Sequence, residues 1–155
     1  LFDLGKSMSE HHVHKEAIVT YSAEKMYTLV NDIPAYPLFV PWCVNAEVVS
    51  ASDQAMCGRL TFSSYGFRYA FSTRNTLKPH QSITLELEDG PFTDLQGVWL
   101  FEEAEDSGCR VSLDLKFSFA HQTMDFMFRP LFEKLSHDLV SIFVARAHSL
   151  YASDI

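Results

Sequence analysis

The chain of 155 residues lacks the long apolar runs that mark proteins inserted into membranes or exported across them. No stretch approaches the roughly 18 uninterrupted apolar residues of a membrane-spanning helix. The first residues do not combine a basic start with an apolar run, so we expect no signal peptide. Cys43, Cys57 and Cys109 are odd in number and widely spaced, which favours reduced thiols over a disulfide framework. Together these absences predict a cytoplasmic protein.

Positive charge is also scarce. The chain has 12 Lys and Arg residues against 20 Asp and Glu residues, which gives a formal net charge of −8. General binding to DNA requires an excess of cations to neutralise the phosphates. The composition therefore predicts that DNA is not a partner.

Sequence motifs for catalysis are missing as well. There is no G-x-S-x-G elbow, no glycine-rich phosphate loop, and no nucleophile with an evident base at recognisable spacing. His11, His12 and His14 cluster near the start, but no local Asp, Glu or Cys completes a metal site, so we interpret them as a surface cluster. The sequence thus predicts a protein that is not an enzyme and requires no cofactor or metal.

Aromatic residues, in contrast, are abundant. The 13 Phe, 6 Tyr and 2 Trp residues make up 14% of the chain. Aromatic side chains bury large areas and have few rotamers, so they fill a core or line a pocket equally well. Composition alone leaves both alternatives open.

The periodic patterns predict a single domain over residues 12–155, preceded by a flexible tail over residues 1–11. An apolar run at 13–19 is typical of a first strand. Ser22 is a suitable N-cap for a helix that ends near Asn31. Three prolines follow within the next eleven residues, so only a short helix or turn fits there.

From Ala46 onward the period of the apolar residues changes to two. The clearest alternation runs from Cys109 to Phe119, where each apolar residue is followed by a polar one. Such alternation gives every strand one buried face and one wet face, which is typical of antiparallel sheets. The turn signals between the runs predict roughly six or seven strands in all.

A long amphipathic helix is predicted at the C-terminal end. Thr123 is its expected N-cap, and we expect Pro130 to kink or restart the helix. Its apolar stripe comprises Phe128, Leu131, Leu135, Leu139, Ile142 and Phe143. A stripe this wide must face a sheet or a partner along most of its length.

The order of these elements predicts an α+β fold in which one helix packs on a whole sheet. Because one helix cannot cover a flat sheet of six or seven strands, the antiparallel sheet must curve and wrap around the long C-terminal helix, with the short helices after the first strand. Curvature brings the inward aromatic side chains of separate strands together: Phe62, Phe67, Tyr69, Phe71, Trp99, Phe117 and Phe119. Periodicity does not decide whether they close into a core or leave a cavity.

Two segments resemble a known family. Residues 21–43 read Y-S-A-E-K-M-Y-T-L-V-N-D-I-P-A-Y-P-L-F-V-P-W-C and resemble the N-terminal signature of the coenzyme Q-binding and polyketide cyclase/dehydrase branch of the START-like (SRPBCC) helix-grip superfamily. Residues 89–101 read D-G-P-F-T-D-L-Q-G-V-W-L-F and match a strand-turn-strand segment of that branch. Within it, T-R-N-T-L at 73–77 and Q-S-I at 81–83 are most similar to the bacterial ribosome-association toxins. The resemblance extends from about His14 to Tyr151.

This resemblance implies a cavity between sheet and helix that holds an isoprenoid quinone or another lipid. The segment from Tyr36 to Trp42 would lie at the cavity mouth, either as a gate or as a packed lid. The implied ligand-binding residues are Tyr36, Phe39, Trp42, Phe62, Phe67, Tyr69, Phe71, Trp99, Phe117, Phe128, Leu131, Leu135 and Leu139.

Three functions are compatible with such a domain. The first is non-catalytic binding of a ubiquinone-like lipophilic molecule, linked to respiration, by a protein that contacts a membrane transiently without spanning it. The second, implied by the resemblance, is regulation of translation by binding the large ribosomal subunit and blocking subunit joining. The third is a polyketide cyclase or aromatase, for which Tyr69, Thr73 or Asn75 would supply polar groups inside the cavity.

The cations expected on the outer face of the sheet bear on the second function. They occupy the strand positions that alternate with the inward aromatic residues, and several carboxylates occupy positions on the same outer face. The set comprises Arg68, Arg74, Arg110 and Lys116 together with Glu86, Glu88 and Asp114. We therefore predict a solvated face of mixed charge, which needs no RNA to explain it.

Overall fold

The computed structural model describes residues 10–152. Its strands are β1 (His11–Val19), β2 (Cys43–Ala51), β3 (Ala55–Ser64), β4 (Phe67–Lys78), β5 (Ser82–Asp89), β6 (Phe92–Glu103) and β7 (Cys109–Phe119). Its helices are α1 (Ala23–Asn31) and α2 (Gln122–Tyr151), with two 3-10 helices at Ile33–Leu38 and Glu105–Ser107. The expected tail, residues 1–11, lies outside the described residues except for Glu10 and for His11, which begins β1.

The strands form one antiparallel sheet in the order β1-β7-β6-β5-β4-β3-β2. This confirms the predicted curved sheet wrapped around a C-terminal helix, with short helices after the first strand. Irregular register interrupts the pairing of β2 with β3, of β4 with β5 and of β6 with β7. Such bulges bend a strand and increase its twist, so they help the sheet to curve.

Helix α1 begins as predicted. The Ser22 side chain accepts a hydrogen bond from the Lys25 backbone N–H at 3.1 Å, which satisfies one of the free donors of the first turn. Met26, Leu29 and Val30 are buried at helical spacing, so one face of α1 packs on the body of the domain. Among the helices between residues 10 and 152, none is long and apolar enough to cross a membrane.

Helix α2 differs from the prediction at its start. It begins at Gln122 with His121 as N-cap, so the expected cap at Thr123 is wrong by two residues. Of the two outcomes expected at Pro130, a restart does not occur, because one helix continues through the proline. A proline removes one backbone hydrogen bond, and here the buried Phe128 and Phe132 on either side hold the helix to the sheet.

The inward aromatic residues fill the part of the interior under β6 and β7. Phe132 of α2 lies 4.8 Å from Phe117 and 5.2 Å from Phe92, measured between ring centroids, and Phe92 stacks on Phe119 at 4.9 Å. The perpendicular and offset arrangements are those that aromatic pairs favour. At this end of the molecule the aromatic residues therefore form a closed core.

Phe67 departs from the predicted inward set because it lies beside the β3–β4 turn, where the hairpin extends past the buried part of the sheet. Its ring contacts Phe128 at a centroid distance of 6.4 Å, yet half of its surface is exposed. The alternation along β4 therefore predicted the side of the sheet on which Phe67 lies, but it did not predict how far the side chain is buried.

Candidate ligand cavity and outer groove

An internal cavity of about 90 Å³ lies between the sheet and α2, next to the aromatic core. Its apolar lining comprises Val30, Ile33, Tyr36, Val40, Gly58, Leu60, Phe62, Phe71, Ile83, Leu85, Leu95, Trp99, Leu115, Phe132, Leu135 and Leu139. Asn31, Thr73, Asn75 and Ser136 supply the polar groups. The cavity is thus an apolar space with a few polar groups, which is the usual constitution of a small-molecule site.

The polar groups of the cavity differ in how they are satisfied. The Thr73 hydroxyl donates to the Asn75 side-chain oxygen at 2.7 Å, and the Ser136 hydroxyl donates to the Phe132 carbonyl at 2.7 Å. The Asn31 side-chain oxygen is buried without a partner among residues 10–152. A buried acceptor without a donor costs free energy, so this atom would favour a ligand or water that donates to it.

Tyr36 is fixed at one side of the cavity by its hydroxyl, which donates to the Val30 carbonyl at 2.5 Å. Burial raises the pKa of Tyr36 above its ordinary value, and the nearby Cys43 and Asp32 add to the rise. Tyr36 therefore stays protonated and acts as a donor. Within the described lining there is no carboxylate, imidazole or amine, so the cavity can orient a ligand without offering a group that titrates near neutral pH.

A second space, the outer groove, opens at the end of the molecule where the β3–β4 turn meets the first turns of α2. Its volume is about 440 Å³. It is lined by Trp42, Ser64, Tyr65, Phe67, Tyr69, Phe126, Met127, Phe128, Pro130, Leu131 and Lys134. The groove is open to solvent and is predominantly apolar.

Stacked aromatic rings separate the cavity from the groove. Phe62 lines the cavity and stacks on Tyr69 at 5.9 Å, and Tyr69 lies 4.0 Å from Phe128, both distances being between ring centroids. The Tyr69 hydroxyl is buried without a partner among the described residues, and burial raises its pKa. Movement of these three rings would join the two spaces.

Comparison with known proteins places this architecture in a family. Residues 19–144 match the family described as polyketide cyclase/dehydrase and lipid transport. The chain belongs to this family. The resemblance inferred from residues 21–43 and 89–101 is confirmed.

Members and structural neighbours of the polyketide cyclase/dehydrase family carry different names. The ribosome association toxin RatA of Pseudomonas aeruginosa is 38% identical over 140 residues, which span 90% of this chain and 97% of RatA. The mitochondrial coenzyme Q-binding protein COQ10 of Drosophila melanogaster is 29% identical over 112 residues, which span 71% of this chain and 46% of COQ10. The aromatase/cyclase Zhui of Streptomyces sp. R1128 has a TM-score of 0.75 over 90% of this chain and 94% of Zhui, at 17% identity. Zhui therefore shows the fold alone.

The structure divides the residues that the family resemblance implied for ligand binding into three groups. Those on the cavity are Tyr36, Phe62, Phe71, Trp99, Leu135 and Leu139. Those on the outer groove are Trp42, Phe67, Tyr69, Phe128 and Leu131. Phe39 and Phe117 line neither space, because Phe39 packs on Phe143 and Phe117 lies inside the aromatic core.

The segment from Tyr36 to Trp42, a gate or a lid by the family resemblance, packs against α2. The centroids of Tyr36 and Phe39 lie 5.4 Å and 5.3 Å from that of Phe143, and Val40 is buried. In this conformation the segment is a packed lid.

Several lining residues were missed by sequence reasoning. Gly58 lies inside a strand pattern, where an isolated glycine is a known signal for a close approach or a bulge. Ser136 is a polar residue within the apolar stripe of α2 and could have been found by its position. Asn31 at the end of α1 and Phe126 on the groove had no comparable signal, because only the packing of distant elements brings them to these spaces.

The histidine cluster has carboxylate partners that are remote in sequence. Asp114 of β7 lies 3.0 Å from both His12 and His14, while the two His11 ring nitrogens lie 3.3 Å from Asp125 and Glu133. Burial raises the pKa of Asp114, but the hydrogen bonds from His12 and His14 outweigh this and lower it overall. Across residues 10–152 no group of His, Cys, Asp and Glu is arranged to hold a metal ion.

Proposed function

We propose that this protein is a translation regulator of the RatA kind, which acts in the cytoplasm by binding the large ribosomal subunit and blocking subunit joining. The observation that carries the proposal is the 38% identity with RatA over nearly the full length of both chains. Identity at this level over a whole domain supports shared function far more than a shared fold does.

The outer face of the sheet is not a basic surface, so its charge does not by itself support ribosome binding. Arg74 is held by Glu88 in a double hydrogen bond, with both distances 3.1 Å, and Asp114 is engaged by histidines. Arg68 and Arg110 are exposed, and neither has an ion-pair partner among residues 10–152. Because the cations are interspersed with carboxylates, ribosome association would depend on specific contacts rather than on general attraction to RNA.

Sucrose-gradient profiles of cells that express the protein would test the proposal. We expect the 70S peak to fall, free subunits to accumulate, and the protein to sediment with the large subunit. An exposed-charge variant, Arg68→Glu with Arg110→Glu, should weaken the effect if these two side chains contact the ribosome. Unchanged 70S levels, with the protein at the top of the gradient, would contradict the proposal.

A second candidate function is the binding of a lipophilic molecule, such as a ubiquinone-like quinone, and the internal cavity favours it. Its apolar lining would provide affinity by burial, and its few polar groups would orient one end of the ligand. The cavity of about 90 Å³ is smaller than the roughly 300 Å³ at which ordinary ligand pockets begin. A ring-sized ligand would therefore have to displace the lid or the Phe62–Tyr69–Phe128 partition.

Mass spectrometry of organic extracts would test ligand binding on protein purified from its own cells. We expect a stoichiometric lipid, and a rise in melting temperature when a quinone is added. The variant Gly58→Val, which adds a side chain at the cavity, is the control because its outer surface is unchanged. Absence of both signals in the unmodified protein would count against the candidate. The cyclase alternative has less support, since no described residue of the lining titrates near neutral pH.

A further inference from the structure

Four aromatic side chains project into solvent around the outer groove, and we call them the aromatic rim: Trp42, Tyr65, Phe67 and Phe126. Their exposed fractions are 37%, 97%, 49% and 79%. They come from three separate parts of the chain and surround a single apolar groove. A contiguous exposed apolar patch of this kind marks an interaction site more often than scattered exposed residues do.

Two of the rim residues occupy an uncommon backbone conformation. Trp42 has φ 64° and Tyr65 has φ 52°, in the left-handed region that bulky side chains rarely adopt. Tyr65 is thereby almost wholly exposed, so its ring gains almost nothing from burial in the domain, whereas more than a third of Trp42 remains exposed. Contact with an apolar phase would bury the exposed parts of both rings.

The charge that lines the groove is opposite in sign to the net charge of the chain. Although the formal net charge is −8, the one charged residue in the described lining of the groove is a cation, Lys134. Its ammonium also lies 3.0 Å from Asp138, one turn further along α2, in an exposed ion pair of the kind that contributes little. Arg68 is exposed next to Phe67, with no ion-pair partner in the described part of the chain. Two carboxylates of α2 are adjacent in sequence to groove residues, Asp125 and Glu133, and each lies 3.3 Å from His11. Asp125 also lies 3.3 Å from Arg129.

We propose that the outer groove and its aromatic rim dock on an anionic lipid bilayer. The rings would lie at the level of the headgroups, where aromatic side chains are favoured, while Lys134 and Arg68 face the phosphates. RNA would call for several cations beside such rings, and the described lining of the groove has one. A dimer in which this surface pairs with itself would bring the two Lys134 side chains together, and their like charges would disfavour it. The inference goes beyond the proposed ribosome association and does not depend on it.

Co-sedimentation with lipid vesicles tests this docking directly. The protein should bind vesicles of phosphatidylcholine with phosphatidylglycerol and bind vesicles of phosphatidylcholine alone more weakly. Because Trp42 is partly exposed while Trp99 is 3% exposed, a blue shift of tryptophan emission on binding would report Trp42. The double variant Tyr65→Ser, Phe126→Ser should weaken binding by about tenfold or more, given the apolar area it removes.

A matched control replaces exposed apolar residues elsewhere. The double variant Ile18→Ser, Val49→Ser changes side chains that are 70% and 59% exposed on β1 and β2, and it should bind as the unmodified protein does. The charge variant Arg68→Glu, Lys134→Glu should lose the preference for anionic vesicles. Circular dichroism and melting temperature verify that each variant is folded.

Three outcomes would overturn the docking proposal. The first is failure of the unmodified protein to sediment with anionic vesicles, and the second is binding of the rim variant equal to that of the control. The third is a dimer, seen by sedimentation velocity, that only the rim variant dissociates, with no vesicle binding. Sucrose gradients of the unmodified protein keep the two proposals separate: absence of ribosome association with vesicle binding intact would refute only the proposed function.

Discussion

The internal cavity and the outer groove lie on opposite sides of one aromatic partition, yet they are built differently. The cavity is small, lies between the sheet and α2, and carries Thr73, Asn75 and the unpartnered Asn31 oxygen. The groove is nearly five times larger and is bordered by exposed rings, with Lys134 as the one charge in its described lining. The first offers shape and hydrogen bonds to a small ligand, whereas the second offers exposed rings and one cation to an extended surface.

This difference follows from where each space lies relative to α2. The cavity is covered by the buried middle of α2, and Thr73, Asn75, Ser136 and the Asn31 side-chain oxygen are buried there, so their hydrogen bonds carry energetic weight. The groove lies at the first turns of α2 and the β3–β4 turn, where water still reaches the side chains. The two spaces therefore differ in the burial of their polar groups more than in the types of residue that line them.

The largest effect is expected from removing the partition. Phe62 is 2% exposed and stacks on Tyr69 and Phe71. Phe62→Ala would join the cavity and the groove and should lower the free energy of unfolding by about 3–5 kcal/mol. Urea denaturation measures the loss.

The control for Phe62→Ala is a variant of Phe126, an aromatic ring on the groove side of the partition. Phe126→Ala removes an exposed side chain and should change the free energy of unfolding by less than about 0.5 kcal/mol. Similar losses in the two variants would mean that the cavity side is as loosely packed as the groove.

Filling the cavity should affect ligand binding more than folding. A Cβ at Gly58 would contact Ile33 at 3.7 Å, which is ordinary van der Waals contact, and a valine fits a strand well. Gly58→Val should therefore leave the free energy of unfolding within about 1 kcal/mol while weakening a cavity ligand by roughly tenfold or more.

Its comparison variant is Thr76→Val on the exposed face of β4, which should retain the ligand. Thermal shift with added quinone reads out both variants. If Gly58→Val binds as tightly as the unmodified protein, the ligand lies in the groove and not in the cavity.

Two tyrosines, Tyr36 beside the cavity and Tyr69 in the partition, allow a bonded hydroxyl group to be compared with an unpartnered one. Tyr36→Phe removes a donor from the Val30 carbonyl and should cost about 1 kcal/mol or slightly more. Tyr69→Phe removes a buried hydroxyl that has no partner in the described structure, so it should stabilise the protein by about 1 kcal/mol. Equilibrium denaturation measures both changes, and a loss of stability in Tyr69→Phe would show that its hydroxyl has a partner such as a bound water.

The smallest effect is expected outside both spaces, at the exposed Arg74–Glu88 pair. Hydrogen bonding and charge attraction from Arg74 lower the pKa of Glu88 below its usual 4.5. A lowered carboxyl pKa gives stability that is fully present above the unfolded pKa and is lost as the pH falls through the folded one. The difference in melting temperature between the unmodified protein and Glu88→Gln should therefore be small at neutral pH and vanish in acid. A difference that persists unchanged in acid would indicate packing rather than charge.

The alternating strands were the most predictable part of the fold. The run from Cys109 to Phe119 lies on β7 with its apolar side chains buried, because side-chain direction along a strand is fixed by the local backbone. The start of α1 was predicted equally well, since a cap is also a local interaction. Thr123 failed as a cap by two residues, since the first residues of α2 are exposed and the side chain of the N-cap residue does not cap them, and such an end is not fixed by one local interaction.

The candidate site was predictable only in part. Residue type and parity identified Phe62, Phe71 and Trp99 as inward-facing residues, but could not separate them from Phe117, which lies in the closed core. Likewise, parity placed Phe67 on the inner face without revealing that it lies at an open end. These distinctions depend on which element lies above each residue.

The sequence by itself determined that an antiparallel sheet must wrap a long helix and that aromatic rings would face the space between them. The tertiary structure alone decided that these rings close under β6 and β7, leave about 90 Å³ beside Asn31 and Asn75, and surround an open groove near Tyr65 and Phe126. The reason is physical. The direction of a side chain is a local property of the backbone, whereas an empty volume is the remainder left when distant elements have packed.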